Sequence, residues 1–239
     1  MSSLQNKVAL ITGGSKGIGL GIAQSLLSEG MRVAVTARSQ KSADEGADKL
    51  RKSGKGEILA LAADVRDAKS QQKVVDQVVS KWGAVDVLIA NAGIGYFGSI
   101  ETLTEADWNE TIDTNLTGVF HSVKACLQPL KKSKGYIITM ASLAGTNFFA
   151  GGSAYNASKF GLVGFTQAIM MDLRNYGIKV TTIMPGSVAT NFNNHSPSEA
   201  DAWKIQPEDI GQMVVDLLKM NPRTLPSKIE VRPSIPGKG

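Results

Sequence analysis

Short apolar runs rich in β-branched residues alternate with stretches of helical period almost from end to end of the chain. The strand-like runs occupy 7–12, 32–37, 57–62, 86–90, 135–141, 178–184 and 228–232. The first six are largely apolar on both sides of the pleat, the pattern of strands covered by helices on both faces. Between them, the stretches 19–29, 68–81, 105–130 and 154–175 carry apolar residues at helical spacing. Alternating β and α segments imply parallel strands joined by right-handed crossovers. The pattern predicts one α/β domain over 1–239, a doubly wound, seven-stranded, mostly parallel sheet with helices on both faces. Two segments break the rhythm. The stretch 187–207 is weakly periodic and holds Asn191, Asn193, Asn194 and His195; its length suits a substrate lid better than a plain connection. Beyond Arg232, Pro233 and Pro236 stop the last strand.

Composition narrows the class. The 239 residues hold 26 Lys and Arg against 21 Asp and Glu, a net charge of +5, with 42% hydrophobic residues. A chain of this length buries about 70% of its unfolded surface and needs no staple. Cys126 is the one cysteine, so no internal disulfide forms, and with two histidines it leaves too few ligands for a zinc site. No metal is expected. Cys126 lies in the apolar stretch 123–127 and reads as core or interface. No apolar run nears the roughly 20 residues of a membrane span. The opening MSSLQNK lacks a secretory pattern, so a cytoplasmic protein without a membrane partner is expected. The basic residues are scattered among acids, and the cluster Lys131, Lys132 and Lys134 falls where a helix should end. That distribution argues against nucleic acid as a partner.

After the first strand comes Thr12-Gly13-Gly14-Ser15-Lys16-Gly17-Ile18-Gly19, then a helix. Glycines let backbone approach phosphates, and a helix N-terminus offers free N–H groups and a positive dipole end. A structural turn would use the same glycines. The spacing is G-x-x-x-G-x-G rather than the better-known G-x-G-x-x-G. Where NAD sites place an acid at the end of the second strand, this chain has Arg38 and Ser39. Arg38 and Lys16, assisted by Ser15 and Ser39, would grip a 2′-phosphate, which favours NADP(H); the alternative is two solvated surface cations.

Tyr155 and Lys159 stand one helical turn apart at the start of the stretch 154–175. A free phenol titrates near 10, and an adjacent ammonium would lower that value and make tyrosine a usable acid and base. Ser142 adds a hydroxyl at the carboxyl end of the fifth strand, the edge where open α/β sheets bind ligands.

Taken with Asn91-Ala92-Gly93, Asn115 and Pro185-Gly186, these motifs resemble the short-chain dehydrogenase/reductase family over about residues 5–220. The resemblance implies a Rossmann-type fold and an NADP(H)-dependent enzyme. In it, Tyr155 protonates a substrate carbonyl, Ser142 orients it, and Lys159 lowers the tyrosine pKa and holds the nicotinamide ribose. It gives Asn115 a kink in its helix and a water relay to Lys159, although an ordinary polar helix residue would also fit. It assigns the adenine contact to Asp64 and Val65. The cofactor cleft falls to Asn91, Ala92 and Gly93, and the nicotinamide carboxamide to Pro185, Gly186, Val188 and Thr190. It further implies a homodimer or homotetramer through the helices of 105–130 and 154–175.

Two departures stand out. Ala141-Ser142 replaces a Ser-Ser pair, and the ending Lys228-Ile229-Glu230-Val231-Arg232-Pro233 lacks the glycine-rich close of the family's bacterial ketoacyl reductases. That ending resembles instead the family's reductases of small hydroxy acids, dicarbonyls or pterins, so the resemblance implies hydride transfer between NADPH and a ketone or aldehyde of that kind. The alternatives are a 3-ketoacyl-thioester reductase and a non-catalytic NADP-binding sensor. Tyr96, Phe97, Phe148, Phe149, Phe192 and Trp203 are candidates for an aromatic substrate wall, with His195 either touching substrate or solvated.

Overall fold

The computed structural model describes residues 4–52 and 56–235; part of the tail, with Pro236, lies outside them. Seven strands form one sheet: β1 (Val8–Ile11), β2 (Arg32–Ala37), β3 (Ile58–Ala62), β4 (Val87–Ala90), β5 (Tyr136–Met140), β6 (Lys179–Pro185) and β7 (Lys228–Val231). Their order is β3-β2-β1-β4-β5-β6-β7, and every recorded pairing is parallel, where the sequence suggested only mostly parallel. Chain direction across the sheet reverses between β1 and β4, and the crevice outside such a switch point is the ligand site of doubly wound folds.

Side chains alternate between two cores with the period of two that a strand imposes. Ala9, Ile11, Val87, Ile89 and Ile138 face one core, and Val8, Leu10, Leu88, Ala90 and Ile137 face the other. The first core is closed by α1 (Gly17–Ser28) and α7 (Pro207–Lys219), through Ile22, Leu26, Val214 and Val215. The second is closed by α3 (Ala68–Trp82), α5 (Gly118–Ser133) and α6 (Ser153–Leu173), through Val74, Val78, Val123, Cys126 and Leu162. Each fully buried leucine or isoleucine contributes about 1.5–3 kcal/mol, so this double layer holds the strand ends in place.

Two expectations are corrected. β3 is an edge strand, and its residues are only partly covered although their run is apolar. The side chain of Gln40, at the start of α2 (Gln40–Arg51), pairs with that open edge, donating to the Ala60 carbonyl at 3.1 Å and accepting from Ala62 N at 3.0 Å. The stretch 105–130 is not one helix: α4 (Glu105–Ile112) passes through a π-turn, Asp113–Thr117, into α5. Helices α2 and α7 stand outside the periodic stretches singled out from the sequence. The cluster at the end of α5 is as expected, with Lys131 and Lys132 in its last turn and Lys134 in the left-handed cap.

Candidate active site

The turn after β1 is built by backbone geometry. Gly13 has φ of +64°, a conformation costly to residues with a Cβ. A Cβ on Gly19 would lie 2.5 Å from the Gly13 carbonyl oxygen, so α1 can sit this close only with glycine there. The buried Thr12 hydroxyl accepts from the backbone N–H of Asn91 at 3.0 Å and of Ala92 at 3.1 Å. Asn91 Nδ2 donates back to the carbonyls of Thr12 at 2.9 Å and Gly13 at 3.1 Å. The segment Asn91-Ala92-Gly93 thus braces the turn from the end of β4. Helix α1 begins with Lys16 as an N-cap that makes no side-chain bond, and no acid stands in its first turn. Its free N–H groups and dipole are left for an anion. Thr190 faces Gly17, where a Cβ would meet its side chain at 3.3 Å.

Lys16 and Arg38 are exposed, Arg38 with 72% of its side chain accessible and 3.7 Å from Glu110. Ser39 caps α2, accepting from Ser42 N at 3.2 Å, so its oxygen is already engaged. Ser15 packs against Gly46 of α2. Asp64 is chelated by Arg66 at 2.6 Å, and this guanidinium holds its carboxyl below the usual range. Val65 is buried and its carbonyl faces His121 Nδ1 at 3.1 Å.

At the end of β5, Ser142 Oγ accepts from Ala144 N at 3.1 Å and donates to the Pro185 carbonyl at 3.5 Å, and it shares a cavity wall with Tyr155. The expected lowering of the Tyr155 pKa does not prevail in this structure: burial raises it, and the Ser142 hydroxyl opposes the rise. Lys159 Nζ donates to the Met140 carbonyl at 3.0 Å and lies 5.6 Å from the centre of the Tyr155 ring. Burial lowers its pKa to about 8. Asn115 sits within the π-turn, a feature often found at functional sites. It accepts from Ile94 N at 2.8 Å and donates to the Ile94 carbonyl at 2.8 Å and to Ser158 Oγ at 3.0 Å. Asn115 is therefore no ordinary helix-surface residue.

Ser142 and Tyr155 open onto a cavity of about 520 Å³ with Leu143, Phe149, Trp203 and Arg232 in its wall. Rings crowd the tyrosine: Phe97 at 5.3 Å and Phe192 at 5.8 Å between centroids. Not all six candidate aromatics join them. Phe148 is 85% exposed, and Tyr96 turns its hydroxyl to Glu110 at 2.8 Å. Pro185 ends β6, and the Gly186 N–H that follows donates to the Val231 carbonyl at 2.8 Å. Within 187–207, Val188 forms a β-bridge with Ile205. His195 is not merely solvated; its Nε2 lies 2.7 Å from the buried Asp201 carboxylate, which also binds Lys204 at 2.5 Å. Among the described residues no group of three or more His, Cys, Asp or Glu could hold a metal ion, and no helix is long and apolar enough to cross a membrane.

Several residues of the site escaped the sequence reading. Asn156, buried beside Tyr155, donates to the carbonyls of Ala144 and Asn147, both at 2.8 Å, and so fixes the loop carrying Ser142. Its place next to the tyrosine was the available signal. Thr12 was signalled by leading the glycine turn. Glu110 and Asp201 carry no local signal, because their partners are distant or on an irregular loop.

A family model described as short chain dehydrogenase matches residues 7–201. The 3-oxoacyl-(acyl-carrier-protein) reductase FabG of Salmonella typhimurium is 37% identical over 191 residues, which cover 80% of this chain and 77% of that protein. The structure of an alcohol dehydrogenase from the archaeon Thermococcus sibiricus, complexed with 5-hydroxy-NADP, superposes with a TM-score of 0.90 at 30% identity, covering 96% of this chain and 97% of that one. A metagenomic short-chain oxidoreductase in complex with NADP superposes with a TM-score of 0.84 at 33% identity, over 98% of this chain and 100% of the other.

Proposed function

The chain belongs to the short-chain dehydrogenase/reductase family, an oxidoreductase family acting on CH–OH and C=O groups, and from this premise we propose that it is an NADPH-dependent carbonyl reductase. The observation that carries the reading is the placing of Ser142 and Tyr155 in the wall of one cavity, with Lys159 Nζ 5.6 Å from the centre of the tyrosine ring and Asn115 bonded to Ser158 on the same helix. The glycine turn, the uncapped start of α1 and the segment from Pro185 to Thr190 hold a dinucleotide. Lys16 and Arg38, both exposed at the end where an acid would select NAD, take its 2′-phosphate. The bound cofactor supplies the hydride. Tyr155 gives its phenolic proton to the carbonyl oxygen, and the Ser142 hydroxyl orients that oxygen. Lys159, as ammonium, stabilises the phenolate left behind and replenishes its proton. Asn115 fixes the Ile94 peptide against α6. The segment 187–207 acts as the lid over substrate.

The substrate is a small ketone or aldehyde. A second reading, 3-ketoacyl-thioester reduction, is favoured by the similarity to FabG and disfavoured by the residues at the last strand, Lys228-Ile229-Glu230-Val231-Arg232-Pro233, which carry no glycine. Exposed Phe120 and Phe160, on α5 and α6, support a homodimer or homotetramer built on those helices. The test is loss of NADPH absorbance with diketones, keto acids, aldehydes, pterins and acetoacetyl-thioesters, for the wild type and Tyr155→Phe. Turnover that the variant lacks while still binding NADPH supports the reading; turnover retained by Tyr155→Phe removes the tyrosine from the mechanism. Tight NADPH binding without any turnover favours a sensor.

A further inference from the structure

The cavity at Ser142 and Tyr155 has a chemically uneven wall. Leu143, Phe149, Trp203 and Pro233 make it apolar, and apart from Tyr155 the one ionisable side chain among its described lining residues is Arg232. Arg232 directly follows β7, which pairs with β6 through Val231 and Pro185. The Val231 carbonyl accepts from Gly186 N at 2.8 Å, so the backbone carrying Arg232 is tied to the segment that follows β6. One guanidinium nitrogen meets Glu230 at 3.0 Å, while 55% of the Arg232 side chain and 39% of that of Glu230 remain exposed. An exposed pair of this kind is weak, and the guanidinium has further N–H donors for a ligand. Arg232 also lies beyond residues 7–201 that the family model matches.

We propose that Arg232 is the anion subsite of the substrate pocket, and that the substrate is a keto acid whose carboxylate it binds while its carbonyl meets Ser142 and Tyr155. The guanidinium fork matches a carboxylate in two parallel bonds, and the apolar wall takes the rest of the molecule. An acyl-thioester carrier would instead hold its phosphates at the end of a long arm, away from the carbonyl. The proposal rests on the carbonyl-reductase reading.

The test compares benzoylformate with methyl benzoylformate and acetoacetate with methyl acetoacetate, alongside acetoacetyl-coenzyme A. Wild type, Arg232→Gln and Arg232→Lys are measured for kcat/KM and for ligand quenching of Trp203 fluorescence, with Trp203→Phe as control. Expected are a preference of the wild type for acid over ester, an acid-to-ester ratio about 30-fold lower in Arg232→Gln, and partial recovery in Arg232→Lys. An unchanged ratio, or a loss confined to acetoacetyl-coenzyme A, overturns the proposal. Quenching by the acids separates the two failures. Arg232-dependent binding without turnover of any carbonyl compound sustains the subsite and sinks the reductase reading. Turnover of the esters with no acid preference does the reverse.

Discussion

Lys159 Nζ donates to the Met140 carbonyl oxygen at 3.0 Å, which seats an ammonium with only 5% of the residue exposed beneath the strand that leads to Ser142. One carbonyl is little compensation for lost hydration, and burial brings the lysine down to about 8. In the unfolded chain it titrates near 10.4, so between these values the unfolded state binds more protons and stability rises with pH. Below about 8 the whole penalty is present. Lys159→Met is accordingly expected to be more stable than wild type at neutral pH, by about 1–3 kcal/mol, with the gain fading towards pH 10. Urea unfolding at the two pH values checks this, and the same variant should have lost turnover. A wild type that is the more stable at neutral pH would contradict the penalty.

Asn115 makes a different kind of contribution. Its amide satisfies both backbone groups of Ile94 and reaches Ser158, so it joins the loop after β4 to α6. Asn115→Leu keeps the volume and leaves the N–H and C=O of Ile94 without this partner. The expected cost is about 2–4 kcal/mol in unfolding, two unpaired backbone groups at roughly 1–3 kcal/mol each less any relaxation. Turnover should fall with it, and Asn115→Gln should recover little because the π-turn fixes the amide's reach. Denaturant midpoints and kcat for the two variants decide.

What could be read from the sequence follows from what is local. Strands β1 and β4 were legible because every residue is buried and apolar, and β5, equally buried, breaks that run only at Thr139. The same signal misleads at β3, whose apolar run lies at the sheet edge. The periodicity of 105–130 carries no mark of the π-turn, because helical residues continue on both sides of Asp113–Thr117. Tyr155 and Lys159 announce themselves by spacing, and Ser142 by its place after a strand. Asp201, with its partners His195 and Lys204, belongs to an irregular loop whose ion pairs exist only once it is folded.

Arg38 is held near Glu110, which also accepts from Tyr96 and lies 3.4 Å from Arg66. Arg38→Ala combined with Lys16→Ala is expected to raise the KM for NADPH by about 10- to 100-fold and that for NADH much less, since both lost groups would face the 2′-phosphate. Equal losses for the two cofactors would refute that assignment. Glu110→Gln removes a negative charge from the neighbourhood while its amide can still accept from Tyr96. It should improve NADPH binding by about two- to fivefold at low salt, an effect that added salt erases. Titration of cofactor binding at two ionic strengths reads both changes.

The segment 187–207, proposed as a lid, offers the last test. The Asp201 carboxyl lies far below the usual carboxylate range, first through Lys204, then through His195 and the Ser198 N–H. A depressed carboxyl contributes stability that is fully present above its unfolded value and is lost as pH falls through the folded one. Asp201 therefore stays ionised across the whole working range, and acidification to mild pH leaves its contribution to the segment 187–207 in place. Removing its charge is another matter. Asp201→Asn weakens the ties from residue 201 to His195 and Lys204, on either side of Trp203 in the cavity wall. Lid variants commonly alter kcat and KM together, and here a rise in substrate KM on the order of tenfold is expected. Because these ties lie within 187–207 and the sheet core is untouched, cleavage by a protease should quicken in that segment while global unfolding moves little. A variant that unfolds globally at lower denaturant, with no faster cleavage in that segment, would make Asp201 a general stabiliser and leave the lid to be held by the Val188–Ile205 bridge.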